Sequence, residues 1–300
     1  SPYRGSSCAL EDVSARERAR PYRGAVMYVV DSGKVVDVAS VLEKALSNLW
    51  MRFNERHDYP VFVFHTGLSR EDRERIALAT PNRIWFYLAT DAHGRPSSST
   101  SGSLWHFKSA GMFEHQGLSQ LDFIWSLDIG SHFHEDVKED PLLMMHQSPS
   151  LALGYRRLAR KPAFAQSHDR LWEHTQLYLL QRAALRPSEA GRGDPLDAVL
   201  DEDGEDEVVR LRPGGGNPAR PRWDHFAVGV DCEVLRVAFF GHRSAYQEYA
   251  SFVDAHGGSG ALARYDPAAV RTLGTAAAAR LRRDGGGRAV ELDLPFARRH

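Results

Sequence analysis

Apolar and polar positions alternate along this chain with two different periods. "GAVMYVV" (24–30) is a short apolar run rich in β-branched residues that stops at "DSGK", the pattern of a buried strand running into a loop. Val38, Leu42, Ala45, Leu49 and Phe53 then recur at helical spacing, which predicts an amphipathic helix ending before "HDYP". "VFVFH" (61–65) reads as a second strand, "SRED" at Ser69 as a capping box opening a second helix, and "RIWFYLA" (83–89) as a third strand. "HGRPSSSTSGS" is a loop by composition, and "DFIWSLDI" (122–129) a fourth strand. On that strand Phe123, Trp125 and Leu127 share one face, and Ile124, Ser126 and Asp128 share the other.

Strand and helix alternate, so the expected architecture is α/β, a mostly parallel central sheet flanked by helices. Further on, "HDRLWEHTQLYLLQRAA" reads as a long helix, "FAVGVDCEVLRVAFF" as more sheet, and "HRSAYQEYASFVDAHGG" as a helix closed by Gly257. "YDPAAVRTLGTAAAARLRR" reads as a last helix with proline in its first turn. Residues 1–20 form a polar lead. The Gly-, Pro- and acid-rich stretch 187–222 cannot bury enough apolar surface to order itself cheaply, and reads as a disordered surface insertion in a single domain spanning 21–300.

The chain has 300 residues, 42% of them hydrophobic, enough for one large core. Its formal net charge of -1 provides no global field to draw it to nucleic acid or an acidic membrane, so any anion must be held by a local site. Two cysteines, Cys8 and Cys232, exclude a disulfide framework and a cysteine-based zinc site. No apolar run approaches the ~20 residues of a membrane span, so an anchor, if the native protein has one, lies outside this chain.

Four groups of residues invite chemistry. His132, His134 and Asp136 alternate in "HFHED" and would share one strand face within reach of a metal ion, although short clusters of this kind also arise by chance on surface segments. Asp128 ends its strand at the edge where open α/β sheets bind ligands; Gly130 stands where a second acid would complete a metal corner, and a lone acid there is commonly a turn residue or cap. Arg264 and Arg271, two turns apart, have the side chain that pairs phosphate bidentately, yet an Arg-rich tail is ordinarily a solvated face. Glu233 interrupts the apolar run "CEVLRVAFF", where a buried carboxylate must be paired or functional.

Four blocks in order resemble the fungal-type Golgi α-1,2-mannosyltransferases, glycosyltransferase family fifteen: "RFNERHDYPVFVFHTGLSRED", "FKSAGMFEHQGLSQLDFIWSLDIGSHFHEDVKEDPLLMM", "DCEVLRVAFFGHRSAYQEYASFVDAHGG" and "RYDPAAVRTLG". The likeness runs from about Gly24 to Gly274. It implies a GT-A-like fold and a retaining transfer of a hexose, mannose in the family, from GDP-mannose to a glycan, glycolipid or glycoprotein acceptor with a divalent metal such as Mn²⁺. It also implies a Golgi-lumenal, type II membrane setting. By position, Asp128 matches the first acid of the family's Glu-Pro-Asp metal corner and Gly130 its lost second acid. Glu233 matches the carboxylate proposed to lie beneath the sugar, as nucleophile or as stabiliser of positive charge at the anomeric carbon. Arg271 falls on the family's metal-binding His and Pro267 on an Asp, with Asp266 next door. His132 and His134 match Lys and Phe, which argues against a "HFHED" metal site.

The resemblance therefore implies a catalytic Glu233, donor binding by Asp128, Arg271 and Asp266, and Asp128 as the remaining metal ligand. With two ligands replaced, Arg271 is expected to neutralise the diphosphate, partly or wholly without metal. The alternative is a catalytically inactive relative that binds glycans or a protein partner.

Overall fold

A computed structural model describes residues 14–33, 37–90, 101–156, 158–160, 165–185, 211–212, 222–223, 226–258, 260–281 and 287–298. Its centre is a seven-stranded sheet. Going across it, the strands are Arg288–Glu291, Leu151–Tyr155, Cys232–Arg236, Phe123–Leu127, Gly24–Val30, Val61–His65 and Ile84–Leu88. Four consecutive strands, from 123–127 to 84–88, pair in parallel; Cys232–Arg236 runs antiparallel to both its neighbours, and Arg288–Glu291 lies parallel to Leu151–Tyr155. The expected α/β, mostly parallel architecture is the one observed.

Side chains alternate across the sheet as a period of two demands. Ala25, Met27, Val29, Phe62, Phe64, Ile124 and Leu235 face a core closed by the helices Ser101–Ser109, Ala165–Leu185, Ala245–His256 and Pro267–Arg280. Val26, Tyr28, Val30, Val61, Val63, Trp125 and Val234 face a second core under Val38–Leu49, Arg70–Leu78 and Pro141–Gln147. Glu233 lies on the same face as Leu235, directly across from Ser126 in the antiparallel register.

The helix boundaries follow local chemistry. The Ser69 hydroxyl accepts from the Asp72 N–H at 3.0 Å and opens Arg70–Leu78 as its capping pattern predicts. Asp266 caps Pro267–Arg280, with proline at the first helical position, and Gly257 closes Ala245–His256. The predicted helix after Val38 holds to Leu49, then widens into a π-helical turn, Trp50–Asn54. "FAVGVDCEVLRVAFF" contributes strands Phe226–Val228 and Cys232–Arg236, then turns into the short helix Val237–Phe240. Most of the expected insertion 187–222 lies outside the described residues; Leu211–Arg212 inside it pairs with Arg222–Trp223 at its end. Residues 1–13 of the polar lead are also outside, and the lead's described end forms the short helix Ala15–Arg18.

Candidate functional site

A hollow opens at the carboxyl end of the central strands, on the face of Glu233. It is lined by Val29, Lys108, Met112, Ser126, Leu127, Asp128, Val230, Glu233 and Pro267. These come from three strand ends, from the helices Ser101–Ser109 and Pro267–Arg280, and from the 3₁₀ turn Gly111–Glu114, which is how an α/β sheet ordinarily builds a binding crevice. The enclosed space is about 10 Å³, the room of a single water. A sugar would therefore rest on this floor, not within it.

Asp128 forms the corner of the hollow. Its N–H donates to the Asp231 carbonyl at 2.9 Å, and its Oδ1 accepts from the Gly130 N–H at 3.0 Å, so the carboxylate organises the turn that follows the strand. A side chain at Gly130 would meet only Asp128 Oδ1, at 3.6 Å from an added Cβ. The position where a second acid would stand is thus open space beside the first.

Glu233 is 2% exposed and Arg271 1%. Arg271 Nε lies 3.2 Å from Glu233 Oε2, and Arg271 Nη2 donates to Glu233 Oε1 at 3.4 Å and to the Lys108 carbonyl at 2.8 Å. The guanidinium is packed against Phe113, Phe240 and Tyr246, 4.6, 5.0 and 5.5 Å from their ring centres. Burial pushes the Glu233 carboxyl above its ordinary value, against the opposing pull of Arg271 and of Lys108.

The structure thus brings Asp128 and Glu233 to one hollow and sets Arg271 behind Glu233, sealed from solvent by aromatic rings. Asp266 is 5% exposed, and its Oδ1 accepts the Ala268 N–H at 2.9 Å as a helix cap, next to the hollow-lining Pro267. Arg264 belongs to a separate 3₁₀ turn, Ala261–Arg264, and its guanidinium donates to the Gly257 carbonyl. In "HFHED", Asp136 is held by Arg52 and Arg56 at 3.2 and 3.1 Å, and His134 lies 3.7 Å from Glu135. Among the described residues no three of His, Cys, Asp and Glu lie together as a metal would need.

A resident divalent ion therefore does not fit the donor set. Hard cations such as Mg²⁺ take near-octahedral oxygen shells. Here Asp128 is a single carboxylate with one oxygen already accepting a backbone N–H, and the two other positions of the expected set carry Gly130 and a sealed arginine. Lys108, which sequence reasoning passes over, is a half-buried cation on the hollow. Its only sequence signal is its place in the "FKSAGMF" block, three residues after Trp105.

No protein-family model matches the chain, and no curated protein aligns with it significantly. Among solved structures, the fold is similar to that of core-mannan synthase A (CmsA/Ktr4) from Aspergillus fumigatus in its Mn/GDP form. The TM-score is 0.64 at 17% identity, over 87% of this chain and 72% of that one. It is also similar to the mannosyltransferase Ktr4p from S. cerevisiae in complex with GDP, with a TM-score of 0.65 at 14% identity, over 92% of this chain and 71% of that one. The fold is shared with these glycosyltransferases, and it is the GT-A-like fold that the sequence blocks imply.

Proposed function

We propose that this chain is a divergent glycosyltransferase of the fungal mannosyltransferase kind. It moves a hexose, mannose by resemblance, from a nucleotide-diphosphate donor to a glycan or glycoconjugate hydroxyl with retention, in a Golgi lumen. The observation that carries this reading is the meeting of Asp128 and Glu233 on one hollow at the carboxyl edge of the sheet, in a fold shared with GDP-binding mannosyltransferases.

Glu233 sits on the floor beneath the anomeric carbon, where a carboxylate stabilises developing positive charge. With both oxygens facing Arg271 and almost no exposed surface, its role is electrostatic stabilisation. Asp128 orients the donor at the turn, and Asp266 holds the start of the helix that carries Pro267 and Arg271. Arg271 acts through Glu233, holding it in place and opposing the upward push that burial gives its carboxyl. The donor set does not fit a divalent metal, because Asp128 is a lone carboxylate with one oxygen already accepting the Gly130 N–H.

Incubation with GDP-mannose and an α-mannoside acceptor should yield a new mannoside whose anomeric configuration by NMR matches the donor's. Glu233→Gln should slow that transfer by about 10²–10³-fold with little change in GDP binding, because the lost interaction belongs to the transition state. If neither GDP-mannose nor other nucleotide sugars bind or turn over, the chain is a binding module and this reading fails.

A further inference from the structure

Resting on the transferase reading above, we infer that the Lys108 ammonium takes the place of a metal ion at the departing diphosphate. The need is set by charge: when the anomeric carbon–oxygen bond breaks, its electron pair passes to the diphosphate oxygen. A group must meet that charge where it develops. In this chain the acids that would hold an ion are reduced to Asp128, and Gly130 leaves the neighbouring position open.

Among the described residues, two arginines beside the Cys232–Arg236 strand are committed elsewhere. Arg271 is clamped by Glu233, the Lys108 carbonyl and three aromatic rings at 1% exposure, so reaching a phosphate would break the core. Arg156 is paired with Asp231 at 3.2 Å. Lys108 remains. It is on the hollow's lining beside Asp128 and Glu233, it is half-buried, and its charge is felt by Glu233.

The position is also well supported. Lys108 sits in the last turn of Ser101–Ser109, and its own carbonyl accepts from Arg271 Nη2 at 2.8 Å. The main chain of the lysine is therefore fixed to the same guanidinium that fixes Glu233. A four-carbon stem from that anchor presents an ammonium as a compact point charge, the form in which lysine binds phosphate. One arginine thus sets both halves of the charge pattern: a carboxylate under the sugar and an ammonium beside the leaving group. In the transfer itself the acceptor oxygen bonds to the anomeric carbon as the bond to the diphosphate breaks, and the acceptor's proton passes to the departing phosphate oxygen. Lys108 keeps its own protons throughout.

The test uses Lys108→Met, which keeps the stem and the carbonyl bond to Arg271, and Lys108→Arg, which restores a cation. Circular dichroism melts check that both fold. Titration calorimetry with GDP in excess EDTA should show binding by the wild type, binding weakened at least about tenfold in Lys108→Met, and recovery in Lys108→Arg. GDP-mannose turnover should be unchanged by EDTA in the wild type and fall about 10²–10³-fold in Lys108→Met. The inference is overturned if EDTA abolishes GDP binding and Mn²⁺ restores it, or if Lys108→Met binds GDP and turns over like wild type. In either case the transferase reading stands, whereas a wild type that binds no GDP with or without Mn²⁺ overturns both.

Discussion

Arg271 with Glu233, and Arg52 and Arg56 with Asp136, make arginine–carboxylate contacts of nearly equal length in opposite surroundings. The first pair approaches to 3.2 Å with side chains 1% and 3% exposed; the second group approaches to 3.2 and 3.1 Å with side chains 40–49% exposed. At equal distance the Coulomb attraction is several-fold larger in the low dielectric of the core, but so is the cost of removing each charge from water. The carboxyls record the balance. Asp136 is held below its ordinary value, first by its hydrogen bond from Arg52, whereas Glu233 is pushed up by burial although two cations pull it down. An exposed pair is close to a free surface ornament; a buried one is a commitment that the surrounding structure must maintain.

Cutting one arm of each contact sharpens that contrast, and the buried arm should give the largest effect. Arg271→Met leaves the buried Glu233 without the guanidinium that faces both its oxygens, and a broken buried pair costs about 3–5 kcal/mol. Denaturant unfolding should show a loss of that size. The double variant Arg271→Met/Glu233→Gln should recover much of it, because no unpaired charge is left behind. Additive losses in the two single variants would mean that the pair is not a unit.

His65 shows a third way of burying an ionisable group, with no countercharge. It is 2% exposed at the end of Val61–His65, and its Nδ1 accepts from the Leu68 N–H at 3.0 Å, which places the ring proton on Nε2. Burial, helped by Arg73, lowers its pKa to about 4. The folded state thus prefers the neutral ring. The associated stability is complete above the unfolded value near 6.5 and is lost as pH falls through about 4, a contribution on the order of 2–3 kcal/mol. Unfolding free energies measured from pH 7 to pH 4 should fall more steeply for wild type than for His65→Gln. Parallel curves would show that the imidazole does not titrate differently on unfolding.

The same distinction decides what could be read from sequence. The parallel half of the sheet is legible because "GAVMYVV", "VFVFH" and "RIWFYLA" are apolar on both faces and end at turn residues. Beyond Cys232–Arg236 the signal fades. Leu151–Tyr155 contains Gly154, and Arg288–Glu291 has a single apolar pair beside "DGGGR", so both strands owe their state to their pairing partners. Within the site, Glu233 stands out as a charge in an apolar run and Asp128 as an acid at a strand end. Arg271 is misleading, since an Arg-rich tail suggests a wet face, yet its Ala-rich helix is buried on nearly every side. Lys108 is marked only by its place in the "FKSAGMF" block: the serine-rich stretch before it reads as loop, while 101–109 is helix. Sequence locates charge; only packing says whether a charge is sealed or offered to a ligand.

The smallest effect belongs to the exposed contact. Arg56 donates not only to Asp136 but also to the carbonyls of Arg52 and Val137, at 2.8 and 2.9 Å, so it stays in place when the carboxylate is removed. Water replaces the carboxylate at both guanidinium groups without a desolvated charge remaining, and salt screens whatever attraction there was. Asp136→Ala should therefore melt with wild type at low and at high salt, and bind GDP with wild-type affinity. A melting temperature lowered as far as that of Arg271→Met would mean that solvent exposure does not separate the two contacts, and the electrostatic account of Glu233 would have to be rebuilt on something other than burial.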